Sequence, residues 1–215
     1  AKPSAGRKFL MAGKSGLNLT RTEDPARFAA AYGAGAGPVP ALVAGFGADA
    51  VRDWARDLGV ALFTGSTGRV FPVGMKASPL LRAWLARLAG RGVALNTRWR
   101  WTGGAGFDTP QGPRTLAPRV TVLAMGGASW RRLGSDGLWA ERLGAAGLPV
   151  TPFAPANAGL SVAWSPHMAR HHGQPVKNTG LIAGTARYRG EFVVTQAGLE
   201  GGGLYPLTPA LRSGA

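Results

Sequence analysis

The sequence predicts a mixed α/β (α+β) fold in two parts, on three observations. Apolar segments of helical and strand period alternate along the first 151 residues, and single glycines punctuate them instead of forming a tract. Three prolines, Pro149, Pro152 and Pro155, then precede a stretch in which strand-like segments predominate. The reading places one domain over residues 1–151 and a β-rich one over 152–215, and 215 residues suffice to bury a core in the larger part.

The opening segment, Gly6 to Thr20, reads G-R-K-F-L-M-A-G-K-S-G-L-N-L-T and is expected to form a loop that could cradle a phosphate-bearing group. Val51, Trp54, Ala55 and Leu58 recur at helical spacing, so Ala48 to Leu58 predicts a helix stopped by Gly59. Val60 to Thr64 and Arg69 to Val73 predict strands joined by the turn Gly65-Ser66-Thr67-Gly68. The next helix has Ser78 as its expected cap, Pro79 in the first helical position, the stripe Leu80, Leu81, Trp84, Leu85 and Leu88, and Gly90 beyond its end. Val93 to Trp101 reads as a strand, Gly103 to Pro118 as a loop, and Val120 to Met125 as a buried strand ending on Gly126-Gly127. Paired glycines after a strand admit close approach to the backbone, although a plain turn explains them equally well. Gly134-Ser135-Asp136-Gly137 leads into a short helix through Leu143, with Asp136 as a capping carboxylate. In the tail, Asn157 to Ala163, Val176 to Arg189 and Glu191 to Gln196 read as β, with a short helix at Pro166 to His172.

The formal charge is +15, and arginine outnumbers lysine 20 to 5. The cations are dispersed along the chain, which favours a compositional habit over a dedicated nucleic-acid surface. Trp99 and Trp101, interleaved with Arg98 and Arg100, make the best local case for nucleic acid, but alternation on a strand separates the rings from the cations. Nucleic acid is therefore not the expected partner; a small-molecule substrate is. No cysteine is present, so disulfides and thiolate chemistry are excluded. Pro38, Pro40 and repeated glycines interrupt the uncharged stretch from Phe28 to Ala48, and no signal-peptide pattern is visible, so a cytoplasmic protein without membrane attachment is expected.

Candidate chemistry is sparse. His167 and His171 stand four apart, but no glutamate lies between them and no third acidic ligand is near, so no metal site is expected. Glu191 and Glu200 pair with no other acid, and G-K-S-G lacks the spacing of a P-loop. No catalytic residue is assigned. Glycine loops, positive charge and apolar strands without a proton-transfer set suit a protein that positions a cofactor.

The Gly6 to Thr20 segment resembles, in register, the G-R-K-L-L-I-S-G-G-G-R-C-N-L-T loop of the BaiN-like (YhiN-type) flavoproteins, a branch of the two-dinucleotide-binding-domain flavoproteins. G-R-V-F-P at Gly68 to Pro72, Lys76-Ala77 with its helix, A-M-G-G at Ala124 to Gly127, G-S-D-G at Gly134 to Gly137 and G-E-F-V-V-T-Q-A-G-L-E-G at Gly190 to Gly201 follow in the same order. The closest likeness is to an uncharacterised subgroup carrying K-A-x-P-L-L-R-A-W-L after the second motif. The resemblance implies a partial Rossmann-like FAD-binding domain joined to a partial β-rich insertion domain. It implies FAD held by Arg7, Lys8, Gly13, Lys14, Ser15, Gly16 and Asn18, with Gly126 and Gly127 approaching from a strand end, and Arg69 reaching toward the flavin or substrate. It also implies an oxidoreductase moving hydride or electrons between a reduced nicotinamide, NAD(P)H, and an unknown acceptor.

There are departures from the family pattern. Gly16 and Leu17 replace its arginine and cysteine, Lys14 supplies a cation two positions earlier, and Gln196 replaces a histidine. The family's G-x-G-x-x-G unit and its C-terminal closing segment have no counterpart in the 215 residues, so the chain is expected to be an internal fragment that by itself binds FAD weakly or not at all. The alternatives are a basic nucleic-acid-binding module and a degraded, non-functional flavoprotein remnant.

Overall fold

The computed structural model describes residues 2–13, 16–32 and 37–214. Contacts between residues divide the chain into two units, Ala1–Val150 and Thr151–Ala215.

The first unit begins with a helix where a loop was expected. Lys-Phe-Leu-Met-Ala are adequate to good helix formers, and they form α1 (Arg7–Ala12), which starts from Gly6 in the left-handed region (φ 67°) and closes at Gly13. The glycines delimit this short helix; they do not open it into a loop. β1 (Thr20–Arg21) follows, then α2 (Pro25–Ala30), where one oxygen of Asp24 accepts from the Ala26 and Arg27 amides at 2.9 and 3.0 Å. The uncharged connector contains α3 (Val39–Gly45), and no helix among the described residues is long and apolar enough to cross a membrane.

α4 (Ala48–Asp57), β2 (Leu62–Thr64), β3 (Arg69–Pro72) and α5 (Ala77–Gly90) lie where periodicity put them. β2 and β3 form the expected hairpin, and β1 adds to the other edge of β3, giving the antiparallel order β1-β3-β2. The start of α5 differs from expectation. The cap is Lys76, no side chain closes it, and Pro79 is the third helical residue. No N–H in that first turn has an intrahelical acceptor, so proline is tolerated there as well as at the first position. Leu80 is fully buried, and with Leu17, Ala55 and Ala77 it forms the core, flanked by Phe9, Leu19, Trp54, Leu58, Val60 and Leu62. Trp84 meets Trp54 edge to face, with centroids 5.3 Å apart. The Arg87 guanidinium donates to the Asp57 carbonyl at the C-terminus of α4.

Residues 93–118 depart most from the sequence reading. The expected strand from Val93 shrinks to β4 (Arg100–Gly103), and the expected loop contains β5 (Gly106–Thr109) and β6 (Gly112–Thr115), a meander of order β4-β5-β6. Gly112 at φ 106° permits the second tight turn, braced by the Thr109 hydroxyl donating to the Gly112 carbonyl at 2.7 Å. Arg98 sits in the left-handed region (φ 63°), which breaks the extended run before Trp99. Val120 to Met125 has no ladder partner among the described residues, and Val120 and Val122 are 78% and 82% exposed. An apolar run becomes a central strand only when neighbouring strands supply hydrogen bonds on its edges, and the described residues supply none. α6 (Trp139–Ala145) closes the unit; its cap is Leu138 and no side chain closes it, so Asp136 does not cap the helix as expected but accepts from the Leu138 amide at 3.2 Å in the turn before it.

The second unit is built on one antiparallel sheet, ordered β7-β10-β9-β8, from β7 (Leu160–Ser161), β8 (Pro175–Ala183), β9 (Ala186–Thr195) and β10 (Gly198–Glu200). The run Val176 to Arg189 is two strands, because Gly184-Thr185 makes a two-residue hairpin turn that pairs Ala183 with Ala186. Ala183, Val194, Leu204 and Leu207 are its buried apolar side chains, and α7 (Thr208–Arg212) ends it. His167 and His171 lie on a 3₁₀ turn, Pro166–His171, so they are about 120° apart around its axis and do not share a face. No cluster of three metal-ligating side chains occurs among the described residues. The two units together give the mixed helices and antiparallel sheets of the predicted α/β (α+β) class.

Candidate functional site

Packing decides what α1 presents. Its C-terminal Gly13 is buried against the start of α5, where an added Cβ would lie 2.6 Å from the Ala77 Cβ. That close approach seats Phe9 and Leu17 in the core and leaves the polar side of α1 outward. Arg7 is half-buried, and its Nε is out of solvent without a partner among the described residues. Lys8 is exposed, and its ammonium donates to the Ser129 hydroxyl at 2.9 Å. This bond joins α1 to a segment 121 residues away, just past Gly126 and Gly127. Gly16 is backed by Met75, Asn18 is exposed, and Lys14 and Ser15 lie outside the described residues. Arg69 is exposed on β3, opposite Arg21 of β1. Of the nine residues selected from the sequence, the structure thus joins Lys8 to the Gly126-Gly127 segment through Ser129, while Gly13 serves the packing beneath.

The glycine pair is held by the motif that follows it. Gly126 adopts φ 71°, a conformation that favours glycine. The indole N–H of Trp139 donates to its carbonyl at 2.8 Å, and the Ser135 hydroxyl donates to the Gly127 carbonyl at 2.6 Å. Ser135 is 8% exposed, and its backbone exchanges two 3.2 Å hydrogen bonds with Trp130. G-S-D-G therefore has separate tasks: serine grips the glycine pair, aspartate accepts from the Leu138 amide in the turn before α6, and Gly134 and Gly137 take the positive φ values of 102° and 72°.

A cleft of about 640 Å³ adjoins this segment at Met125 and the Gly134 to Asp136 turn. Lys2, Arg98, Arg100, Arg131 and Arg142 line it, against the single carboxylate of Asp136. The ion pairs among the described residues are Arg27 with Glu23, Arg52 with Asp49 and Arg56 with Asp53, and none of them neutralises a cation of the cleft. Trp99, Trp101 and Trp139 contribute ring surface to the lining. Their environment suits an anion carrying an aromatic ring. The interleaved tryptophans mark Arg98 and Arg100 in the sequence. Lys2, Arg131 and Arg142 carry no such mark, because Lys2 lies nearly a hundred residues before Arg98 and the two arginines lie some thirty and forty residues after Arg100, too far for a local pattern.

Residues 1–205 match the family model described as "HI0933-like protein Rossmann domain". A search of the curated proteins finds no match.

Proposed function

Since the chain belongs to the HI0933-like Rossmann-domain family, a flavin-binding oxidoreductase family, we propose that it holds FAD at α1, the Gly126-Gly127 segment and the adjoining cationic cleft. The observation that carries this is the Lys8 to Ser129 bond, which places a cation of α1 beside the glycine pair. The residues present fit the cofactor. A pyrophosphate needs cations and backbone donors, and Arg7, Lys8 and the glycine segment offer both. An adenine or isoalloxazine needs flat apolar surface with a cation nearby, and the indoles and arginines of the cleft offer that.

FAD supplies the two-electron redox chemistry when bound, and the protein's part is to orient it and balance its charge. Lys8 and Arg7 act on the phosphates, and Arg98, Arg100, Arg131 and Arg142 set the field in the cleft. The finer reading is a BaiN-like enzyme that takes electrons from NAD(P)H and passes them to a small-molecule acceptor. What supports it is the ordered motif series from Gly6 to Gly201, with Gln196 in place of a histidine.

Titration of FAD into the full chain, followed by flavin fluorescence, tests the site. Lys8→Glu weakens binding by about tenfold or more while the melting temperature holds, because an exposed hydrogen bond of this kind adds at most about 1 kcal/mol to stability. Unchanged affinity removes Lys8 from the cofactor site.

A further inference from the structure

We propose that Ser135 and Trp139 are positioning residues that set the Gly127 and Ala128 amides as a pair of anion-receiving donors. The inference rests on the flavin reading for the identity of the anion, and on peptide geometry for the rest. A trans peptide points its N–H opposite to its C=O, and the described residues contain no cis peptide. Trp139 holds the Gly126 carbonyl, so the N–H of the same peptide plane, that of Gly127, points away from the indole. Ser135 holds the Gly127 carbonyl, so the N–H of Ala128 points away from the hydroxyl. Neither N–H has an acceptor among the described residues. Lys8 reaches Ser129, the next residue, and adds positive charge on the same short segment.

The two side chains thus act through the backbone without touching the anion. Their work is orientational: a two-glycine turn left to itself samples many peptide orientations, and fixing both carbonyls removes that cost before a ligand arrives. Burial of Ser135 and its reciprocal bonds to Trp130 keep the clamp rigid. A phosphate or pyrophosphate oxygen is the chemical group such a donor pair receives.

The test is residue-specific. Inorganic pyrophosphate, and separately FAD, are titrated into the isotopically labelled full chain while the amide resonances of Gly127 and Ala128 are followed. In the unmodified chain pyrophosphate shifts both amides. Ser135→Ala reduces the response at Ala128 by about fivefold, the worth of one neutral hydrogen bond, and Ser135→Thr restores it. Trp139→Phe, which keeps the ring and loses the N–H, reduces the response chiefly at Gly127. A general loss of structure would move resonances throughout the chain and would not divide the two amides between the two variants. Absence of a pyrophosphate response at both amides in the unmodified chain overturns the proposal, as does a response in both variants equal to the original. A pyrophosphate response without an FAD response leaves the clamp standing and sinks the flavin reading alone.

Discussion

Replacing Leu80 by alanine tests whether the α4–α5 core is what presents the site. Leu80 has no exposed surface and sits among Leu17, Ala55 and Ala77, with Phe9, Trp54 and Leu58 packed around them. Truncating a leucine to alanine in such a place costs about 2–5 kcal/mol, the transfer of the lost carbons plus the cavity they leave. Two helices and a sheet close this position, so little relaxation is available and about 3–4 kcal/mol is expected. A domain of this size loses roughly 2–4 °C per kcal/mol, which places the drop in melting temperature at about 6–16 °C. Total stabilities run about 5–15 kcal/mol, so the variant remains folded at room temperature and can be assayed. Urea unfolding followed by far-ultraviolet circular dichroism gives the free energy, and FAD titration of the same samples gives the coupling to the site. Phe9 belongs to α1 and Leu17 follows it, so loosening the core around Leu80 also weakens flavin binding. Leu80→Met, nearly equal in volume, is expected to cost under about 1.5 kcal/mol and to leave binding intact. A loss below about 1 kcal/mol for Leu80→Ala, or one equal to that of Leu80→Met, refutes the assignment of Leu80 to the centre of the core.

Gly13→Ala should destabilise by about 1–3 kcal/mol, because its methyl would meet the Ala77 Cβ at 2.6 Å. Combining it with Ala77→Gly should recover much of that loss in thermal denaturation, whereas purely additive losses would show that the two residues are not opposed. Binding of the chain to a labelled oligonucleotide should be indifferent to base sequence and fade with salt, since cations dispersed along the chain meet phosphates and not base edges. Removing Arg98 and Arg100 together should flatten the logarithmic salt slope by about 2, near 0.9 per lost phosphate contact. Loss of binding altogether on removing Arg98 and Arg100, or a base preference, would favour the nucleic-acid reading instead.

Legibility along the chain followed the range of the forces involved. The helix carrying Val51, Trp54 and Ala55 and the stripe from Leu80 to Leu88 were readable because a helix that buries one face must repeat its apolar residues every three or four positions. The hairpin at Gly65 to Gly68 was readable from its turn. Gly6 to Gly13 misled, since glycine content suggested a loop while the six residues inside favour a helix. Val120 to Met125 misled in the other direction, because its apolar composition suits a strand but a strand also needs neighbours. In the site, the glycine pair and Lys8 were visible as motifs, but the partnership of Lys8 with Ser129 was not.

The sequence by itself determined the mixed class of the fold, the positions of its amphipathic helices, the excess of positive charge and the motif series that marks the family, for these depend on local periodicity, composition and order. Only the tertiary structure decided that Gly13 is a packing contact, that Ser135 and Trp139 grip the glycine pair, and that five cations from distant segments line one cleft. Those facts depend on which segments meet when the apolar faces are buried, and the energy of that meeting is shared among residues too far apart in the chain to leave a pattern.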